Sequence, residues 1–187
     1  MKIINAVRDA LLCASLTLAA GPLYFNATAV SSANGQSRFE CWQFANELVY
    51  TTDTAINKIS ATNIMGDATN ITYNVVPSGL NTQVFTSAVN EWLVILHGVV
   101  RISGADDKSL GFLSAGGEAA MAFLTAGTPG EQGYSIWFPG PTEATLLQIP
   151  TADGAVPQHK ILYDNGPCAY PEYAGMRLLA EGDWSKQ

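Results

Sequence analysis

Side chains able to do chemistry are few in this sequence and widely spread. The chain has 2 histidines, 3 cysteines and 16 acidic residues among 187. Neither histidine, His97 nor His159, belongs to an HxH or His-x-x-Glu pairing that would hold a metal. His97 precedes a glycine, and His159 lies in Pro157-Gln158-His159-Lys160; both read as satisfied or solvated side chains. The acid in the most telling place is Glu91, which opens the apolar run Trp92-Leu93-Val94-Ile95-Leu96. Desolvated there, with no cation beside it, a carboxyl group holds its proton to higher pH and is a candidate general acid or base. Ser114-Ala115-Gly116-Gly117-Glu118 and Gly127-Thr128-Pro129-Gly130 are glycine-rich, but neither has the Gly-Lys-Ser/Thr ending of a P-loop or the G-x-G-x-x-G spacing of a dinucleotide fold. They read as turns.

The composition sets the frame for those residues. With 48% hydrophobic and 13% charged side chains the chain is neither disordered nor surface-like. A net charge of −7 leaves no basic surface for phosphates or anionic lipid, which argues against nucleic-acid and peripheral-membrane roles. The beginning reads as a secretory leader, with Lys2 and Arg8 ahead of an apolar stretch from Ala10 to Ala20 that is too short to span a bilayer. Cleavage is expected after Ala20, or after Ala29, where Ala27-Thr28-Ala29 is small-x-small. Residues 1–29 are thus leader and 30–187 a single domain, secreted or held in a secretory lumen, with no membrane span after cleavage.

Secretion gives meaning to the cysteines and sequons. Cys13 leaves with the leader, and the remaining pair, Cys41 and Cys168, should bond in an oxidising compartment. Such a bridge closes most of the domain into one loop and is worth about 4 to 5 kcal/mol in the chain-entropy model. Asn26-Ala27-Thr28 and Asn70-Ile71-Thr72 are acceptor sites for N-glycosylation, the second surviving either cleavage.

The elements that must position Glu91 are short. Ser31 to Ser37 is a Ser/Asn/Gly stretch, expected to be an exposed arm, and Phe39 to Tyr50 mixes aromatic and polar residues without a clean period. Apolar runs then recur between Gly, Pro, Asn and Asp punctuation: 71–76, 91–102, 119–124, 134–138, 142–149 and 160–163. That rhythm predicts an all-β domain, a sandwich or barrel, with no internal repeat. Trp92 to Leu96 is apolar on both parities, so both faces should be covered, and a homodimer is the economical cover. Gly98 should mark a bulge or tight bend.

Two spacings carry a resemblance. Gly79, Phe85, Ser87, Glu91 and Gly98 have the spacing of G-x5-H-x-H-x3-4-E-x6-G, and Gly133, Pro139, Pro141, Ala144 and Gln148 have the spacing of G-x5-P-x-G-x2-H-x3-N. These are the two motifs of the cupins, and the pattern from Cys41-Trp42 to Gly166-Pro167-Cys168 is similar to small secreted cupin-like proteins of filamentous fungi. The resemblance implies a single jelly-roll β-barrel behind an irregular N-terminal arm. It also implies no metal and no cofactor, because Phe85, Ser87 and Ala144 stand where the family has its three histidines. Of the ligand set only Glu91 is matched, and one carboxylate does not make a transition-metal site.

In the register that the resemblance implies, Phe85, Ser87, Glu91, Leu93, Ala144, Leu146 and Gln148 face the interior and Trp137 stands near the mouth. They would line a largely apolar cavity for a small apolar molecule. Metal-free cupins of that kind act as isomerases or cyclases of secondary metabolism, so the expected activity is acid–base catalysis by Glu91. The competing expectation is a non-catalytic ligand-binding or structural protein whose interior is filled by its own side chains. Glu143 should point outward and take no part.

Overall fold

The computed structural model describes residues 24–33, 35–47, 49–53, 58–62, 65–105, 110–116, 119–127, 131–169 and 172. Residues 1–23, which include Cys13 and most of the expected leader 1–29, lie outside them. Within them the chain is nearly all strand: β1 Tyr24–Ala33, β2 Gln36–Glu47, β3 Val49–Asp53, β4 Lys58–Thr62, β5 Thr72–Val76, β6 Glu91–His97, β7 Val99–Gly104, β8 Leu110–Ser114, β9 Met121–Leu124, β10 Tyr134–Trp137, β11 Ala144–Pro150 and β12 His159–Tyr163. A seven-stranded sheet runs β12-β2-β1-β9-β6-β11-β5, a three-stranded sheet runs β10-β7-β8, and β3 pairs with β4. In the large sheet β1 and β9 are parallel, and the other neighbours are antiparallel. The result is a mixed β-sandwich consistent with a cupin-type fold, in which the sheets do not close into a barrel.

The expected N-terminal arm is instead structure. Ser31 to Ser37 is the hairpin that joins β1 to β2, turning at Gly35 with φ +76°. β1 lies inside the sheet between β2 and β9. Its alternation places Val30 on the face toward the small sheet and Ala27 and Ala29 on the other.

The large sheet is apolar on both faces. Toward the small sheet, Val30, Phe39, Leu93, Ile95, Leu124 and Leu146 pack on Val100, Ile102, Leu113, Tyr134 and Ile136. On the outer face Trp42, Phe44, Trp92 and Phe123 form an aromatic layer, with Trp92 4.9 Å from Phe123, 5.0 Å from Phe44 and 6.1 Å from Phe25 between ring centroids. The doubly apolar strand β6 is therefore covered on its Trp92 side by its own chain. Burial of that tryptophan needs no second subunit.

Two glycines are fixed by contact. Gly98 joins β6 to β7 as the chain passes from one sheet to the other, rather than between two paired strands. It has φ +88°, and a Cβ there would stand 3.0 Å from Ala144. Gly133 precedes β10, and a Cβ would come within 2.0 Å of the Phe85 carbonyl oxygen. That clearance lets Phe85 and Tyr134 exchange backbone hydrogen bonds of 2.9 and 2.8 Å. Cys41 of β2 and Cys168 beyond β12 are disulfide-bonded across 127 positions of sequence, burying both ends of the domain together.

Candidate functional site

Glu91 is the first residue of β6, and its neighbours come from three places in the chain. Gln148 on β11 lies opposite Leu93, and Thr72 of β5 lies opposite Gln148, so the inner-facing residues of β6, β11 and β5 share one face. Ser87 comes from the preceding loop, where its carbonyl accepts a 2.9 Å bond from the Gly127 amide and Phe85 is pinned to β10. Glu91 is 6% exposed and Ser87 is buried. Gln148 Nε2 donates to Glu91 Oε1 at 3.3 Å, and Asn74 Nδ2 of β5 donates to Gln148 Oε1 at 3.1 Å.

The hydroxyl of Ser87 has two acceptors within reach. Its Oγ is 2.8 Å from the Val89 carbonyl oxygen and 3.0 Å from Glu91 Oε1. A hydroxyl has one proton, so at any moment Ser87 donates either to the Val89 carbonyl oxygen or to Glu91 Oε1. Donation to Glu91 favours the ionised carboxylate, whereas donation to Val89 leaves Oγ to accept from the protonated carboxyl group. Burial raises the Glu91 pKa above the ordinary carboxylate value, and the bonds from Ser87 and Gln148 offset only part of that. The ion pairs among the described residues lie elsewhere, joining Arg38 to Glu40 and to Asp164.

Tyr134, the first residue of β10, completes the group. It is 1% exposed, and its phenol oxygen has no hydrogen-bond partner among the described residues. Burial pushes its pKa far up, the nearby carboxylate of Glu91 adds to that, and Ser87 partly offsets it. The phenol thus faces Ser87 as a neutral O–H donor without completing a bond. Two neutral O–H groups in an apolar setting can hold a carbonyl oxygen and stabilise the negative charge it gains when a neighbouring proton is removed.

The structure brings Ser87, Glu91 and Gln148 together, and it buries Leu93, Ala144 and Leu146 in the same inner core. Phe85 and Trp137 stand apart from them. Phe85 is 39% exposed, with its ring 4.8 Å from that of Tyr134, because residues 85–87 form isolated bridges rather than an inward-alternating strand. Trp137 alternates with the buried Tyr134 and Ile136, so it faces solvent under the Arg101 guanidinium, 5.7 Å away. Asn74 and Tyr134 were missed in the sequence. The available signals were a polar residue on the inner parity of β5 and a tyrosine directly after a motif glycine.

The histidines take structural positions. His97 is exposed, with Nε2 3.2 Å from Thr142 Oγ1. The His159 ring stacks on Trp42 at 3.5 Å and 8°, with Nδ1 2.8 Å from the Pro157 carbonyl oxygen. Glu143 is exposed. Among the described residues no three His, Cys, Asp or Glu converge as metal ligands, and the donors around Glu91, a hydroxyl and two amides, do not fit the imidazole site of metal-binding cupins. A half-open pocket of about 210 Å³ lies elsewhere, bounded by Phe44, Asn46, Met65, Gly66, Pro157 and Gln158.

Neither a protein-family model nor a curated protein matches the sequence. Among solved structures, the polyketide cyclase RemF from Streptomyces resistomycificus aligns over 79% of this chain and 90% of its own, with 12% identity and a TM-score of 0.35. A likeness that loose bears on neither fold nor function.

Proposed function

We propose that the protein is a metal-independent acid–base enzyme, of cyclase or isomerase type, acting on a small apolar molecule that carries a carbonyl group. Glu91 is the acid or base, Tyr134 is a second donor to the same oxygen, and Ser87, Gln148 and Asn74 hold Glu91 in place. The observation that carries this reading is a buried carboxyl group bonded to neutral partners beside a buried phenol that completes no hydrogen bond among the described residues. Groups of this kind are expensive to keep in a core and gather where chemistry needs them. The route is secretory, consistent with the Cys41–Cys168 bond.

The test begins with native mass spectrometry and metal analysis of the full chain purified from a secreting host, to identify the bound molecule. Turnover of that molecule is then compared between wild type and Glu91→Gln. The variant should retain the fold and lose activity by about 100-fold or more. Full activity in Glu91→Gln, or stoichiometric metal, would overturn the reading.

A second reading, a non-catalytic ligand-binding or structural protein, is favoured by the packing of Leu93, Ala144 and Leu146, each under 5% exposed on the face that holds Glu91. Protein that carries no organic molecule would support it.

A further inference from the structure

We propose that Asn70 carries an N-linked glycan whose core sugars lie over the exposed outer face of β5 and keep that edge from pairing with a second chain. The face is unusual for a surface. Alternation places Ile71, Tyr73 and Val75 on one side of the strand, opposite Asn74 of the polar network, and they are 59%, 62% and 59% exposed. The patch continues inward through Leu147, paired with Tyr73, toward Val94, and Leu96 of β6 is also exposed.

β5 is at the end of the seven-stranded sheet, so one row of its backbone groups has no strand partner among the described residues. Its sequence, Thr72-Tyr73-Asn74-Val75-Val76, has none of the charges or prolines that usually guard such an edge. An apolar face on an unguarded edge is a template for association unless something covers it.

The chain supplies a cover of its own. Asn70 immediately precedes this face, is exposed, and turns out of the strand line with φ +48°. It begins the acceptor sequence Asn70-Ile71-Thr72. The other acceptor sequence is closed off, since Asn26 is buried in β1 and its Nδ2 donates to the Glu172 carbonyl oxygen at 2.7 Å. The Cys41–Cys168 bond belongs to the oxidising route in which such sugars are added. Ile71 to Val75 extends about 14 Å at the rise of a strand, a length that a few linked sugars can follow, with their C–H faces against Tyr73. This inference is independent of the chemistry at Glu91.

The full chain is secreted from a glycosylating eukaryotic host as wild type, Thr72→Ser, which keeps the acceptor sequence, and Thr72→Val, which removes it. Peptide mass spectrometry should find sugar on Asn70 in the first two and none in the third. Sedimentation should show no dependence on concentration for the glycosylated forms. Thr72→Val should associate as concentration rises and bind several-fold more of an apolar fluorescent dye, and adding Tyr73→Lys should reverse both effects. If Thr72→Val is not secreted, wild type trimmed by endoglycosidase to a single sugar takes its place. Wild type without sugar on Asn70, or a sugar-free protein matching wild type in sedimentation and dye binding, would overturn the proposal.

Discussion

A carboxyl group that keeps its proton inside a fold ties stability to acidity in a definite direction. The Glu91 pKa is raised on folding, so its contribution to stability is fully present below the unfolded carboxylate value, about 4.3, and is lost as pH rises through the folded value. Glu91→Gln has nothing to ionise. It should melt at or above wild type at pH 7, and the difference should shrink as pH falls below about 4; calorimetry across that range checks the sign. Tyr134 separates stability from function in the same way. Tyr134→Phe removes a buried oxygen that has no hydrogen-bond partner among the described residues and should stabilise the fold by about 1 kcal/mol in denaturant titration, while slowing turnover of the captured substrate. A gain in stability together with unchanged turnover would leave the phenol only a packing role.

Among the elements, the loop carrying Ser87 owes its position to a missing side chain. Gly133→Ala puts a methyl group into the Phe85 carbonyl, so the bridge to β10 must open and Ser87 must move from Glu91. The variant should lose more than about 2 kcal/mol of stability by urea denaturation. The glycine positions were legible because turns and close approaches restrict residue type, and Ser87 and Gln148, which the two motif spacings single out along with Glu91, lie within hydrogen-bond reach of it. Phe85 is exposed rather than inward because alternation was carried through residues that form isolated bridges instead of a strand. β2 was obscured for a different reason. With Phe39 and Cys41 buried on one face and Trp42 and Phe44 on the other, no period of two survives. β1 was hidden by its composition, since Asn26-Ala27-Thr28-Ala29 reads as a cleavage region while those small residues fill a tightly packed central strand. Asn74 and Tyr134 reach Glu91 only through cross-strand register, which one strand's sequence does not contain.

At the scale of the whole molecule, β1 bears on where the expected leader would be cut. A cut after Ala29 would divide a strand paired on both sides, at Glu40 of β2 and Phe123 of β9. We therefore propose cleavage after Ala20, and N-terminal sequencing of secreted protein should begin at Gly21; a start at Val30 would rule this out. The same strand has a consequence for the order of assembly. Thr28 is made well before its parallel partner, Ala122, and the bond that seals the domain waits for Cys168. During synthesis the β1–β2 hairpin can form early, but Trp42 and Phe44 then have no Phe123 or Trp92 to rest on. The β1–β2 hairpin, made before the other described strands, is thus the last to be locked, and until residue 168 has emerged the protein depends on its surroundings to shield two large aromatic rings.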